Sequence, residues 1–282
     1  MLRVLHKPNA PGYDSSSSVD SGEIRLLSVL LPVYNEQATL RELVDRVLGS
    51  PVPLDMEVVA VDDGSRDASW ELLEALAAED PRVKPFRHPR NRGKGAAIRT
   101  AISHMTGQVA VVQDADLEYD PAEYPRLLAP ILEGKADAVY GSRWAGESRR
   151  VQRFWHTQVN RGLTLISNML NDLTLTDMET CYKMVRTDVL ARLRLSSNTF
   201  TLEPEITCRL SQWGARIHEV PISYDSRGYE EGKKIGAFDG LKAIGQMFYS
   251  RFFDRQFTDH KDYHRQIIAA RRSEPSAVRK AA

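Results

Sequence analysis

Four short apolar runs in the first half of the chain each end in a polar or glycine-bearing cluster, and a segment of helical periodicity follows. Residues 26–32 lead into Pro32-Val33-Tyr34-Asn35-Glu36, and residues 57–61 into Asp62-Asp63-Gly64-Ser65. Residues 83–88 lead into Asn91-Arg92-Gly93-Lys94-Gly95, and residues 109–113 into Asp114-Ala115-Asp116. Leu40, Leu43, Val44, Val47 and Leu48 mark a helical stripe over 39–48. Further helices are predicted from a cap at Asp67 through residue 78, over 96–105 and near 123–133, with a fifth strand over 136–140. Such alternation gives an α/β fold, βαβ units around a mostly parallel sheet. Parallel strands end on one edge, so the four clusters are expected to meet in one crevice. Turn chemistry explains any one cluster, since Gly and Asp are turn residues. It does not explain four in register.

The last cluster carries the sharpest chemistry. Side chains at i and i+2 of a strand point the same way, so Asp114 and Asp116 are expected to converge at the strand's carboxyl end. Two neighbouring carboxylates repel, and a hard divalent cation such as Mg²⁺ or Mn²⁺ relieves that repulsion and binds phosphate. The alternative is a solvated Asp-rich turn, and the pair alone does not decide between them.

Past Gly141 the alternation stops. Helices are predicted over 151–170, 188–193, 205–213 and about 238–253, with a polar connection at Thr176-Asp177-Met178-Glu179-Thr180. Residues 216–220 and 222–224, hinged by Pro221, read as strand. The expected organisation is one domain over 24–257, with a nucleotide-type half over 24–141 and an acceptor-side half over 142–257. Residues 1–23 read as a disordered lead-in, and 258–282 as a flexible charged tail.

Composition excludes several classes. Lys plus Arg and Asp plus Glu both number 38, so no global positive field draws in nucleic acid. Cys181 and Cys208 have no metal-ligand spacing and imply no disulfide framework, which fits a reducing cytoplasm. No stretch approaches the roughly 20 apolar residues of a transmembrane helix, and the N-terminus lacks a signal-peptide core. A cytoplasmic protein is expected, soluble or held peripherally on the cytoplasmic face of a membrane.

On these motifs, joined by Gly141-Ser142-Arg143 and Glu219-Val220-Pro221-Ile222-Ser223, the chain resembles the family 2 inverting glycosyltransferases of GT-A fold. Within them it is most similar to the dolichyl-phosphate mannosyltransferase and polyprenyl-phosphate glycosyltransferase branch, over roughly residues 25 to 240. The resemblance implies a Rossmann-like, mostly parallel central sheet flanked by helices. It implies metal-dependent transfer of a hexose from a nucleotide sugar of GDP-mannose or UDP-glucose type to a polyprenyl or dolichyl phosphate, with inversion.

The resemblance also assigns roles. Pro32, Tyr34 and Glu36 line the nucleotide site, Tyr34 against the base and Glu36 toward ribose hydroxyls. Val61 and Asp63 contact the nucleoside, with helix capping as the competing role for Asp63. Asp114 and Ala115 contact the nucleotide, and Asp114, Asp116 and Glu118 hold Mg²⁺ or Mn²⁺. Glu118 stands where the branch often has Gln. Arg143 and, less distinctively, Arg161 bind phosphate and act with Asp116 in catalysis. Arg227 and Lys234, in a late basic loop one residue longer than the branch pattern, reach the diphosphate, with Lys233 competing with Lys234. Lys94, at a glycine-flanked helix start, has the setting of an anion site, although in this family its loop positions the helix.

Of two readings of the chemistry, direct attack by an acceptor phosphate is preferred. A lipid phosphate is already ionised near neutral pH and needs no base. A soluble hydroxyl acceptor needs one, and Asp177 or Glu179 stands where it could lie. A non-catalytic nucleotide-sugar binding module is a further alternative. Along 238–253, Phe238, Leu241, Ile244, Gly245, Phe248 and Phe252 form one helical stripe, expected to pack on the domain rather than lie in a membrane interface.

Overall fold

Seven strands form one sheet in the order β3-β2-β1-β4-β6-β5-β7. The computed structural model describes residues 24–146, 154–225 and 237–254. The expected segments 1–23 and 258–282, and Arg227 and Lys234, lie outside these residues.

β1 (Leu26–Val33), β2 (Asp55–Asp62), β3 (Val83–Arg87) and β4 (Val109–Val112) run parallel, as expected. Their near-continuous apolar runs fit strands covered on both faces, and Val29, Leu30, Val58, Val59 and Val111 are fully buried. α1 (Leu40–Leu48), α2 (Ser69–Glu79), α3 (Lys94–His104) and α4 (Tyr124–Leu132) alternate with them. α1 turns Leu40, Leu43, Val44 and Val47 to the core, matching the predicted stripe. At α2 the expected cap is displaced: Asp67 lies one residue before the helix boundary and accepts from the Ser69 amide and hydroxyl.

β5 (Ala138–Ser142) and β7 (Ile217–Pro221) are parallel to each other. Between β4 and β5 lies β6 (Lys183–Arg186), antiparallel to both and not anticipated. Its Lys-Met-Val-Arg sequence has no apolar run, yet Lys183, Met184 and Val185 are buried. Residues 222–224 do not continue β7 as strand, and the predicted helix over 188–193 is a single turn, α6 (Thr187–Leu190).

α5 (Phe154–Asn171), α7 (Leu202–Trp213) and α8 (Ala237–Phe248) pack together, and a short π-helical turn, Tyr249–Phe253, extends α8. Here the packing expectation is corrected. α8 and its extension bury Ala243, Met247 and Ser250, spaced one helix face apart, while Leu241, Phe248 and Phe252 are 64%, 45% and 50% exposed. Gly245 is exposed too, and Ile244 is half-buried. The predicted stripe therefore lies largely on the outer side, beside exposed Phe154, Trp155, Val159, Leu165 and Met169 of α5. No helix among the described residues is long and apolar enough to cross a membrane.

Candidate active site

The strand order reverses between β1 and β4, and a ligand crevice of an open α/β sheet forms at such a point. The loops there are tied together. Thr39 Oγ1 donates to the Ala115 carbonyl at 2.7 Å, joining the β1 loop to the Asp114-Ala115-Asp116 loop. The Asn35 amide donates to Ser65 Oγ and the Glu36 amide to Ser69 Oγ, both at 2.9 Å, joining the β1 and β2 loops. Tyr34 is 40% exposed, and Pro32 and Glu36 are half-buried. Val61 is fully buried, so any contact it makes with a nucleoside runs through its backbone.

Asp63 is buried and already heavily engaged. Its carboxylate accepts from the Arg92 and Gly93 amides at 3.0 and 2.7 Å and meets His88 Nδ1 at 2.6 Å. A base edge competes with these donors. What the contacts visibly do is shape the Arg92-Gly93 turn, where Gly93 has φ +95° and a Cβ would meet the Asn198 carbonyl at 2.2 Å. Only glycine fits there without strain.

That turn delivers Lys94 to Asp114. Its Nζ lies 2.7 Å from Asp114 Oδ1 and 3.0 Å from Glu203 Oε1. Burial opposes the Lys94 charge, but Asp114 and Glu203 outweigh it and hold its pKa well above the ordinary value. In this structure Lys94 serves as a counter-ion to carboxylates, with its ammonium 5.8 Å from the Phe200 ring.

The expected ligand trio Asp114, Asp116 and Glu118 is not assembled as a set: among the described residues no group of three or more His, Cys, Asp or Glu is arranged to hold a metal ion. The physical reason is local. The strand ends at Val112, so alternation no longer governs the two aspartates, and Leu117 at φ +58° turns the chain again. Glu118 is carried into the interior, 6% exposed, where its Oε2 accepts from the Tyr224 hydroxyl at 2.6 Å. Asp116 is half-buried and accepts from the Glu118 amide at 3.2 Å. Asp114 and Asp116 supply hard oxygen donors too few for a closed cage, which suits Mg²⁺ or Mn²⁺ completed by substrate phosphates.

Across the crevice, Arg143 follows β5. Asp177 accepts from its amide at 3.0 Å and from Nε and Nη2 at 2.7 Å each. Asp177 is fully buried, and its own amide donates to Glu219 Oε1 at 3.0 Å. Thus Glu219 fixes Asp177, which fixes Arg143. The Arg143 guanidinium stacks 5.1 Å from Tyr224 and 5.9 Å from Trp144. Arg161, exposed on α5, approaches the same Trp144 ring at 5.9 Å. The two arginines proposed from sequence are therefore joined through an indole. Glu179 is half-buried, and burial pushes its carboxyl up to about 7.

Sequence reasoning assigned no role to Thr39, Glu203, Trp144, Glu219 or Tyr224. Glu219 lay in a quoted motif and Trp144 adjoined Arg143, so both carried a signal. Glu203 reaches the site only through the packing of α7.

The family model for glycosyl transferase family 2 matches residues 28–194. The dolichol-phosphate mannosyltransferase of Pyrococcus furiosus is 29% identical over 229 residues, 78% of this chain and 63% of that protein. The undecaprenyl-phosphate 4-deoxy-4-formamido-L-arabinose transferase of Salmonella paratyphi A is 29% identical over 235 residues, 81% of this chain and 67% of that protein. The chain thus spans about two-thirds of the length of these relatives. In fold it is similar to glucosyl-3-phosphoglycerate synthase of Mycobacterium tuberculosis, solved with Mn²⁺, UDP and phosphoglyceric acid. The TM-score is 0.62 at 20% identity, covering 81% of this chain and 79% of the other. The expected GT-A type α/β architecture is thereby borne out, and the chain belongs to glycosyl transferase family 2.

Proposed function

We propose that the chain transfers a hexose from a nucleoside diphosphate sugar, of GDP-mannose or UDP-glucose type, to a polyprenyl phosphate. The observation that carries this reading is the Arg143–Trp144–Arg161 assembly beside the exposed apolar face of α5 and α8. Forked guanidinium groups suit a phosphate, and an adjoining apolar surface suits a polyprenyl tail. The names of the curated relatives point the same way.

Tyr34 and Glu36 receive the nucleoside, with Pro32, Val61, Asp63 and Ala115 shaping that pocket. Asp114 and Asp116 face the diphosphate and would hold Mg²⁺ or Mn²⁺. The cation, when bound, neutralises charge developing on the leaving diphosphate. Arg143, with Nε and one Nη2 proton committed to Asp177, offers its Nη1 edge to the acceptor phosphate. An acceptor oxygen attacks the anomeric carbon, the bond to the nucleoside diphosphate breaks, and the configuration inverts. A phosphate acceptor needs no proton removed, in keeping with Asp177 being locked to Arg143. Arg227 and Lys234 complete the diphosphate contacts in this reading. Cytoplasmic placement, with the α5/α8 face resting on the membrane that supplies the acceptor, belongs to it as well.

Incubation with undecaprenyl or dolichyl phosphate, Mn²⁺ and radiolabelled UDP-glucose or GDP-mannose tests the proposal. The expected product is a glycolipid that mild acid cleaves. Label appearing only in water-soluble glycosides would sink the lipid acceptor.

A further inference from the structure

Glu179 differs from the other acidic residues around the crevice. Its Oε1 is buried without a hydrogen-bond partner, and so is Oγ1 of the fully buried Thr180 beside it. An unpaired buried polar atom costs stability, so two in succession suggest groups kept for a ligand. Their surroundings indicate which. The Glu179 carboxyl feels Lys183 of β6 and Glu203 of α7, and also Arg143 and Asp177. Glu203 grips Lys94, which grips Asp114. Glu179 thus interacts electrostatically with residues on both sides of the crevice: with Glu203, joined through Lys94 to Asp114, and with Arg143. In the transferase reading, the sugar lies between the diphosphate and the acceptor phosphate.

We infer that Glu179 and Thr180 form the floor of the sugar subsite, where they hydrogen-bond hydroxyls of the transferred hexose and so determine which sugar is accepted. The inference rests on the transferase reading above. A carboxyl and a hydroxyl side by side present both acceptors and a donor, matching a hexose edge and satisfying the two orphaned oxygens. With the Glu179 carboxyl pushed up to about 7 by burial, it passes between donor and acceptor roles near neutral pH. A site built to hydrogen-bond a hydroxyl discriminates strongly against a sugar that lacks it or turns it away.

Titration calorimetry in Mn²⁺ with UDP, GDP, UDP-glucose and GDP-mannose tests this. Glu179→Ala should weaken the preferred nucleotide sugar on the order of tenfold or more, while the parent nucleoside diphosphate stays within about twofold. Thr180→Val should weaken the nucleotide sugar severalfold with no fall in melting temperature, because its hydroxyl has no partner to lose. Glu179→Gln, which keeps hydrogen-bonding groups in place, should recover most of the affinity and lose its variation between about pH 6 and 8. Equal loss for nucleotide and nucleotide sugar, or no loss for either, would overturn the inference. So would a Glu179→Gln enzyme that binds the nucleotide sugar normally yet does not turn over, which marks a general base. A wild-type protein that binds no nucleoside diphosphate removes the transferase reading itself, and the sugar subsite with it.

Discussion

Arg143 and Asp177 form a two-armed ion pair, with Nε–Oδ2 and Nη2–Oδ1 both at 2.7 Å, between side chains that are 8% and 0% exposed. The pair holds a buried cation beside the crevice and fixes its orientation. It also commits both carboxylate oxygens of Asp177 to Arg143, which in the proposed reaction leaves Asp177 a positioning residue rather than a base.

Asp177→Asn should therefore lower both stability and transfer. Breaking one side of a buried pair costs about 3–5 kcal/mol, measurable by urea denaturation. Nucleoside diphosphate affinity should survive, since the nucleoside loops lie on the other side of β4. Loss of transfer at full stability would contradict this account and restore Asp177 as a base.

Asp116→Asn should abolish the part of the UDP- or GDP-induced melting shift that depends on Mn²⁺. A ligand at 100 times its Kd stabilises the native state by about 2.7 kcal/mol, so the wild-type shift is easily read. Chelation with EDTA should reproduce the variant's behaviour in the wild-type protein. An unchanged Mn²⁺-dependent shift in Asp116→Asn would remove this residue from the metal site.

Glu57, at the opposite end of the sheet, predicts an acid-sensitive limb of stability. Burial opposes its charge, but hydrogen bonds from Lys84, Ser28 and Thr106 prevail and lower its pKa to about 2. A depressed carboxylate pKa gives stability that is present above the unfolded value, near 4.5, and is lost as pH falls toward about 2. Glu57→Gln should remove roughly 3 kcal/mol at neutral pH and flatten that limb. Equilibrium denaturation between about pH 2 and 7 gives the comparison.

Trp155 on the outer face of α5 and Phe253 on the extension of α8 are 76% and 80% exposed. Replacing both with Ser should change stability by only about 0.5 kcal/mol or less. Sedimentation with anionic phospholipid vesicles should fall severalfold if this face rests on a membrane. Vesicle binding equal to wild type would detach the face from that role.

How far the sequence led depended on how locally each feature was encoded. The four parallel strands were legible because each is a continuous apolar run followed by a cluster at its end. β6 was not, since Lys183 and Arg186 bracket two apolar residues and the strand exists only because β4 and β5 hold it on both sides. Asp114 and Asp116 follow the end of β4, but alternation was extended past Val112, where the strand has stopped. Glu118 then turned inward to Tyr224, a residue more than 100 positions away that no local pattern connects to it. The stripe on α8 was correctly seen, whereas its direction was set by Ala243 and Met247, smaller or more flexible residues that close against the neighbouring helices.

The reversal of β6 has a further consequence. Because it runs against its neighbours, the loop that precedes it, carrying Asp177, Glu179 and Thr180, opens on the same edge where β1, β2 and β4 finish. One inverted strand thus adds another wall to the crevice without another crossover, and stitches the two halves of the chain through the middle of the sheet. The halves share a backbone ladder and cannot swing apart like hinged lobes. Under the proposed reading, new selectivity arises by rewriting this one loop while the loops after β1 and β2 stay as they are.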